Sequence, residues 1–190
     1  MSNYLKWDVY TPTGCCTLVG LNNVGPVKNR YRARPYESIS TNAYVTMDDS
    51  FPKDKKMADN IRVIGAGFVI SGRLKEFLES KQIVNVQYIP ITIINHNGNA
   101  EDAEYFVLHP HGAIDCIDME NSVFEWCTID PKTIDYFDEF VINEDKIDPN
   151  RLLFRPKYYS EIVLIRKDLA EEIVALGFTG IDFEEAEEIA

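Results

Sequence analysis

The sequence predicts an α+β fold, an antiparallel sheet with two related strand-helix-strand units packed on it. Three observations predict it. First, much of the stretch Gly67 to Pro90 recurs near the C-terminus at one constant spacing of 95 positions, without a gap: Val69 meets Leu164, Ile70 meets Ile165, Leu74 meets Leu169, Leu78 meets Ile173, Val86 meets Ile181 and Tyr88 meets Phe183. Each copy reads as a short apolar strand, an amphipathic helix of two to three turns and a second strand. Second, helix-period stripes are confined to those two copies, and most other apolar runs are short and separated by turn residues. Third, Asn97-Gly98 between two strand-like runs is a hairpin signal, because a type I′ turn needs positive φ at both central residues.

Taken in order, residues 1–60 hold three β-like pieces, Tyr4 to Thr11, Cys16 to Leu21 and Tyr44 to Met47, divided by turn chemistry at Pro12-Thr13-Gly14, Asn22-Asn23 and Gly25-Pro26. This part reads as an irregular β/loop region packed on an α+β domain over residues 61–190, the two together one folding unit. A chain of 190 residues buries about 70% of its unfolded surface, enough for one such unit. Lys28 to Arg34 is the one basic cluster, and Asp48 to Asn60 reads as a polar loop. The run Ile61 to Ile70 includes Gly65-Ala66-Gly67, but Phe68-Val69-Ile70 continues as strand where a dinucleotide fingerprint needs a third glycine and a helix.

Ser71 is placed to cap a helix over Gly72 to Ser80, whose stripe is Leu74, Phe77 and Leu78. Ile83 to Ile94 follows as a long strand, with Pro90 marking a bulge or an edge position. Ala103 to Leu108 returns, then Ala113 to Ile117. Shorter strands are expected at Val123 to Ile129, Phe137 to Ile142 and Leu152 to Phe154. The second helix starts near Asp168, which with Glu171 resembles a capping box. Leu169, Ile173 and Leu176 form its stripe, Gly177 sits where a left-handed cap is wanted, and Phe178 to Phe183 is the last strand. The tail Glu184 to Ala190 is acidic and extends as a short helix or frays.

Charge is unevenly placed. Of the net −12, residues 1–60 contribute +2, residues 61–118 −3 and residues 119–190 −11. Such a C-terminal third repels phosphate backbones and attracts a basic partner, so no direct binding of nucleic acid is expected. The basic cluster is expected to pair internally with that acidic third. No apolar run approaches the ~18 residues that span a bilayer, no export signal is read at the start, and the four cysteines lack framework spacing. A cytoplasmic protein with reduced thiols and no membrane partner is the expectation.

Candidate chemistry is thin. His109 and His111 are spaced to share a strand face near Asp115, and a metal-dependent or Cys116/His hydrolase in that region is the alternative to a binding protein. No Cys-x-x-Cys or His-Glu-x-x-His accompanies them, and Cys116 falls in an apolar stretch where an inert thiol is expected. No catalytic residue, metal site or cofactor is assigned. Trp7 and Trp126 read as core or partly buried. A structural or oligomerising module is a third reading.

In order, Val69-Ile70-Ser71, Leu74-Lys-Glu-Phe-Leu78, Val86-Gln-Tyr88-Ile-Pro90, Tyr105-Phe-Val-Leu108, Asp115-Cys-Ile-Asp118, Ser122, Leu153-Phe154-Arg155 and Gly177-Phe-Thr-Gly180-Ile-Asp-Phe183 resemble the eleventh immunity-protein family of bacterial polymorphic toxin systems, formerly a domain of unknown function. The resemblance spans about residues 61 to 185. It departs at Arg166, where a serine like Ser71 is common, and at His109-Pro-His111. It implies a non-enzymatic binder that neutralises a cognate toxin domain by stoichiometric occlusion. Charge suggests a basic nuclease as that toxin. Asp135, Asp138, Glu139, Glu184, Glu185, Glu187 and Glu188 are the expected partner contacts.

Overall fold

The computed structural model describes residues 2–26, 32–63 and 67–189, and these are mostly sheet with two α-helices, an α+β arrangement. The strands are β1 Tyr4–Asp8, β2 Leu18–Asn22, β3 Tyr44–Met47, β4 Asn60–Arg62, β5 Phe68–Ser71, β6 Val86–Ile94, β7 Tyr105–Pro110, β8 Val123–Trp126, β9 Ile134–Glu139, β10 Leu153–Phe154, β11 Leu164–Arg166 and β12 Asp182–Glu185. The helices are α1 Gly72–Ser80 and α2 Lys167–Ala175.

The expected single antiparallel layer is replaced by three sheets, ordered β2-β3-β6-β7-β5-β4, β10-β11-β1-β12 and β8-β9. The first is mixed, because β3 pairs parallel with β6. A parallel neighbour needs a long crossover, and the chain between β3 and β6, carrying β4, β5 and α1, supplies it. That pairing covers only Thr92 to Ile94 of β6, so Pro90 lies where the β3 side has no partner strand, the edge position that a missing N–H tolerates. Residues 113–117, expected as a strand, make only isolated bridges, Ile114 to Pro156 and Ile117 to Ile142.

Strand alternation stacks the layers. On β7, Tyr105 and Val107 enter one core with Ile89, Ile91 and Ile93 of β6, while Leu108 enters another with Phe68 and Ile70 of β5. That second core lies between the two large sheets and receives Leu74 and Leu78 of α1 together with Leu169, Ala170 and Ile173 of α2. β11 alternates likewise, Ile165 facing the helices and Leu164 facing a third core with Tyr4, Phe137, Phe140 and Phe154. Trp7, 1% exposed, stands edge-on to Phe68 and Phe183 at 5.7 and 5.8 Å and joins the two sheets.

Both helices form where the stripes stand, but their starts differ. Ser71 Oγ accepts from Leu74 N at 3.2 Å and caps α1 as its spacing predicts. Arg166 takes the corresponding place before α2 without a side-chain cap. Asp168 is therefore inside the first turn and not the cap: its carboxylate is held by the Arg166 guanidinium at 2.7 Å through both oxygens, which keeps it below the usual carboxylate range. At the far end Gly177, φ +68, donates to Val174 O at 3.0 Å and Phe178 donates to Ile173 O at 3.4 Å, the paired bonds of a left-handed cap. Leu176, expected in the buried stripe, is 53% exposed at that turn. The last strand starts at Asp182 instead of Phe178, because Phe178 is spent on the cap and Thr179-Gly180 press against β4: Asn60 N donates to Thr179 O at 3.0 Å, and a Cβ on Gly180 would stand 2.0 Å from Asn60 O. At Asn97-Gly98 only Gly98 has positive φ. The turn is organised instead by Asn95, whose side-chain oxygen accepts from Asn97 N and Asn99 N, so it is not type I′.

Candidate functional site: an acidic and aromatic hairpin face

The β8-β9 hairpin shows how three of the predicted carboxylates reach one surface. Its register pairs Val123 with Glu139, Phe124 with Phe137, Glu125 with Tyr136 and Trp126 with Ile134, slipping twice along the way. A regular strand sends successive side chains to opposite faces. The slips break that rule, and along β9 one residue in three is buried: Ile134 and Phe137, then Phe140 beyond the strand. Asp135 with Tyr136, and Asp138 with Glu139, are thus exposed side by side. The expected Phe137 to Ile142 strand begins three residues earlier for the same reason.

The inner side anchors the hairpin. Phe137 meets Phe140 at 4.9 Å and Tyr159 at 5.0 Å, both edge-on, and Ile134 N donates to Tyr158 O at 2.7 Å. Trp126 leans edge-on against Phe124 and Tyr158 at 5.4 and 5.8 Å yet stays 43% exposed, more open than its sequence context predicts. Val123, Tyr136 and, at the connecting turn, Ile129 at 92% add to this open apolar surface. The neighbouring Glu125 carboxylate raises the Tyr136 phenol above its usual range, with burial and the charges of Asp138 and Asp135 adding to the effect.

Among the described residues no lysine or arginine pairs with Glu125, Asp135, Asp138 or Glu139. The other predicted contacts lie on or after β12, in a different sheet, and differ in state. Glu184 is bound to Lys6 at 2.7 Å and Glu185 to Lys167 at 2.9 Å. Glu188 is exposed in a single turn of 3-10 helix, Ala186–Glu188, and the side chain of Glu187 lies outside the described residues. Nothing in composition or periodicity distinguished Trp126, Tyr136 and Ile129, because their exposure depends on the slipped register.

The basic cluster is described only from Arg32 onward; Lys28 to Tyr31 lie outside the described residues, as do Gly65 and Ala66 of the glycine pair. Arg32 binds Asp130 at 2.8 Å, the internal pairing with the acidic third that the charge distribution predicts. His109 is 1% exposed, its Nε2 lies 2.8 Å from Arg34 O and its ring 4.8 Å from Tyr36. His111 stands 6.3 Å from it, ring to ring, and is held below its usual pKa by burial and by Arg151. Asp115 is bound to Lys157 at 2.8 Å. Burial pushes the Cys116 thiol up to about 12, the inert state. Among the described residues no group of three or more His, Cys, Asp or Glu is arranged to hold a metal ion, and no helix is long and apolar enough to cross a membrane.

No curated protein matches the chain. The profile described as "Immunity protein family (Imm11)" matches residues 28–188 of the 190, well beyond the stretch that carried the sequence resemblance, and takes in both helices and the β8-β9 hairpin. The chain belongs to the Imm11 immunity protein family.

Proposed function

We propose that this protein is the cytoplasmic antidote of a bacterial polymorphic toxin system, neutralising a cognate toxin domain by one-to-one occlusion without turning over a substrate. The observation that carries the proposal is the hairpin face, where Asp135, Asp138, Glu139 and Glu125 stand without ion-pair partners among the described residues, beside exposed Trp126 and Tyr136. Unneutralised carboxylates around rigid aromatic side chains suit a basic protein surface: the charges speed and orient encounter, and buried aromatic anchors supply most of the binding energy. A nuclease is one toxin class with such a basic surface. Glu188, Glu184 and Glu185 form a second acidic group, and Glu187 in the same run of sequence is the remaining expected contact. Glu184 and Glu185 would have to exchange Lys6 and Lys167 for a partner's cations, so they contribute less.

The two strand-helix-strand units belong to the same reading as scaffold. The ranges Gly72–Ser80 and Lys167–Ala175 are displaced by 95 positions, and each unit straddles one antiparallel strand, β7 between β5 and β6 and β1 between β11 and β12. The hydrolase alternative finds no support at His109, which is enclosed, or at Asp115, which is bound to Lys157.

The test is association with the toxin domain encoded beside this gene, measured against ionic strength. The wild type should form a one-to-one complex and rescue cells expressing the toxin. Asp135→Lys, Asp138→Lys and Glu139→Lys together, all exposed, should slow association by about 10–100-fold at low salt while preserving the fold. An association rate that ignores both salt and the triple substitution would sink the proposal.

A further inference from the structure

The surface of α2 carries a feature its counterpart lacks. Between α2, β1 and β12 runs a groove of about 460 Å³ lined by Leu5, Ala170, Val174 and Phe183, with Glu171 and Asp182 at its rim. Val174 is 66% exposed and the neighbouring Leu176 53%. At the positions 95 earlier, Ala170, Val174 and Leu176 correspond to Lys75, Glu79 and Lys81. There Lys75 pairs with Glu79 at 2.7 Å and covers the Phe106 ring at 4.9 Å, and Lys81 covers Phe77 at 5.1 Å. Charged side chains thus lie over Phe106 and Phe77 beside α1, whereas Val174 and Leu176 on α2 are open. Both helices are nine residues long and bury corresponding leucine and isoleucine positions, so folding does not require the apolar surface on α2. An exposed valine gains its transfer free energy only when something covers it.

From this contrast, and resting on the toxin-neutralising reading above, we infer that the α2-β12 groove is a second contact for the same partner, taking an apolar side chain flanked by lysine or arginine. The rim decides the occupant. Glu171 and Asp182 have no ion-pair partner among the described residues, and they lie in the third of the chain with net charge −11. A second copy docked through this groove about a two-fold axis would bring the same carboxylates from both copies together, an unfavourable juxtaposition. A basic partner neutralises them.

Val174 is the residue to change, because it is exposed and its substitution leaves the core intact. Val174→Glu and Val174→Lys should each weaken the complex with the cognate toxin domain by about 10-fold or more, chiefly through faster dissociation, with thermal midpoints unchanged. Loss with both signs of charge identifies an apolar contact; loss with Lys alone would reassign the effect to electrostatics and overturn the groove. Wild-type binding retained within about 3-fold by both variants would also overturn it, as would a wild-type dimer in sedimentation that the variants disperse. If the wild type does not bind the toxin domain, the toxin reading itself falls and the groove loses its occupant. The hairpin triple substitution, which acts on association, separates the two surfaces in the same experiment.

Discussion

Asp59 joins parts of the chain that are far apart in sequence, and its removal is a demanding test of the architecture. Its side chain is 12% exposed. One carboxylate oxygen accepts from Ser71 Oγ at 2.8 Å; the other accepts from Thr179 N at 2.9 Å and Thr179 Oγ1 at 3.0 Å, with Arg73 at 3.5 Å. The serine is the cap of α1, and the threonine belongs to the loop between α2 and β12. Hydrogen bonds to a charged group contribute about 1.5–3 kcal/mol each, and a rim position with water access argues for the low end or below it. Arg73 is more than half exposed, so its ion pair adds little. Three bonds at about 1 kcal/mol give a loss of about 3 kcal/mol for Asp59→Ala. Asp59→Asn keeps one acceptor oxygen and should lose about half as much. Urea unfolding reads both, with the slope unchanged. A cycle with Ser71→Ala, itself costing about 1 kcal/mol as a lost cap, should show coupling of about 1 kcal/mol, since the two side chains are bonded. A loss below about 1 kcal/mol for Asp59→Ala, or additive single changes, would refute this account.

Two further outcomes concern the same scaffold. Gln82, which follows α1 where Gly177 follows α2, holds φ at +54; Gln82→Gly should raise stability by about 0.5–1 kcal/mol in urea, because relief of left-handed strain exceeds the added chain entropy, and a loss would contradict the cap geometry. His111 titrates lower in the fold than its usual 6.5, through burial and Arg151, so its neutral form stabilises the fold fully above about pH 6.5 and that stability is lost as pH falls through the lowered value. In His111→Gln the urea midpoint should decline less steeply over that window, and equal pH slopes for the two proteins would show that His111 is not the group responsible.

Much of the scaffold was legible in the residues. The helix ranges, Ser71 as a cap, Gly177 as a left-handed stop and the β-like pieces of the first sixty residues all follow from interactions within a few positions. Errors arise where a distant contact competes with a local preference. Asp168 and Glu171 match a capping pattern, yet the Arg166 guanidinium claims the aspartate. Phe178 to Phe183 alternates like a strand, yet its first half is drawn into the helix cap and onto β4. Asn97-Gly98 suits a tight hairpin, yet Asn95 turns the chain its own way.

Family, α+β character and an acidic C-terminal third were settled by order, periodicity and charge, since these are properties of neighbours along the chain. The display of Asp135, Asp138 and Glu139 together with Trp126 and Tyr136, and the open groove beside Val174, were decided by tertiary packing. Exposure depends on which surfaces come together: Phe137 inserted among Phe140 and Tyr159 sets the slipped register of the hairpin, and α2 resting on β1 and β12 determines which of its apolar residues remain uncovered.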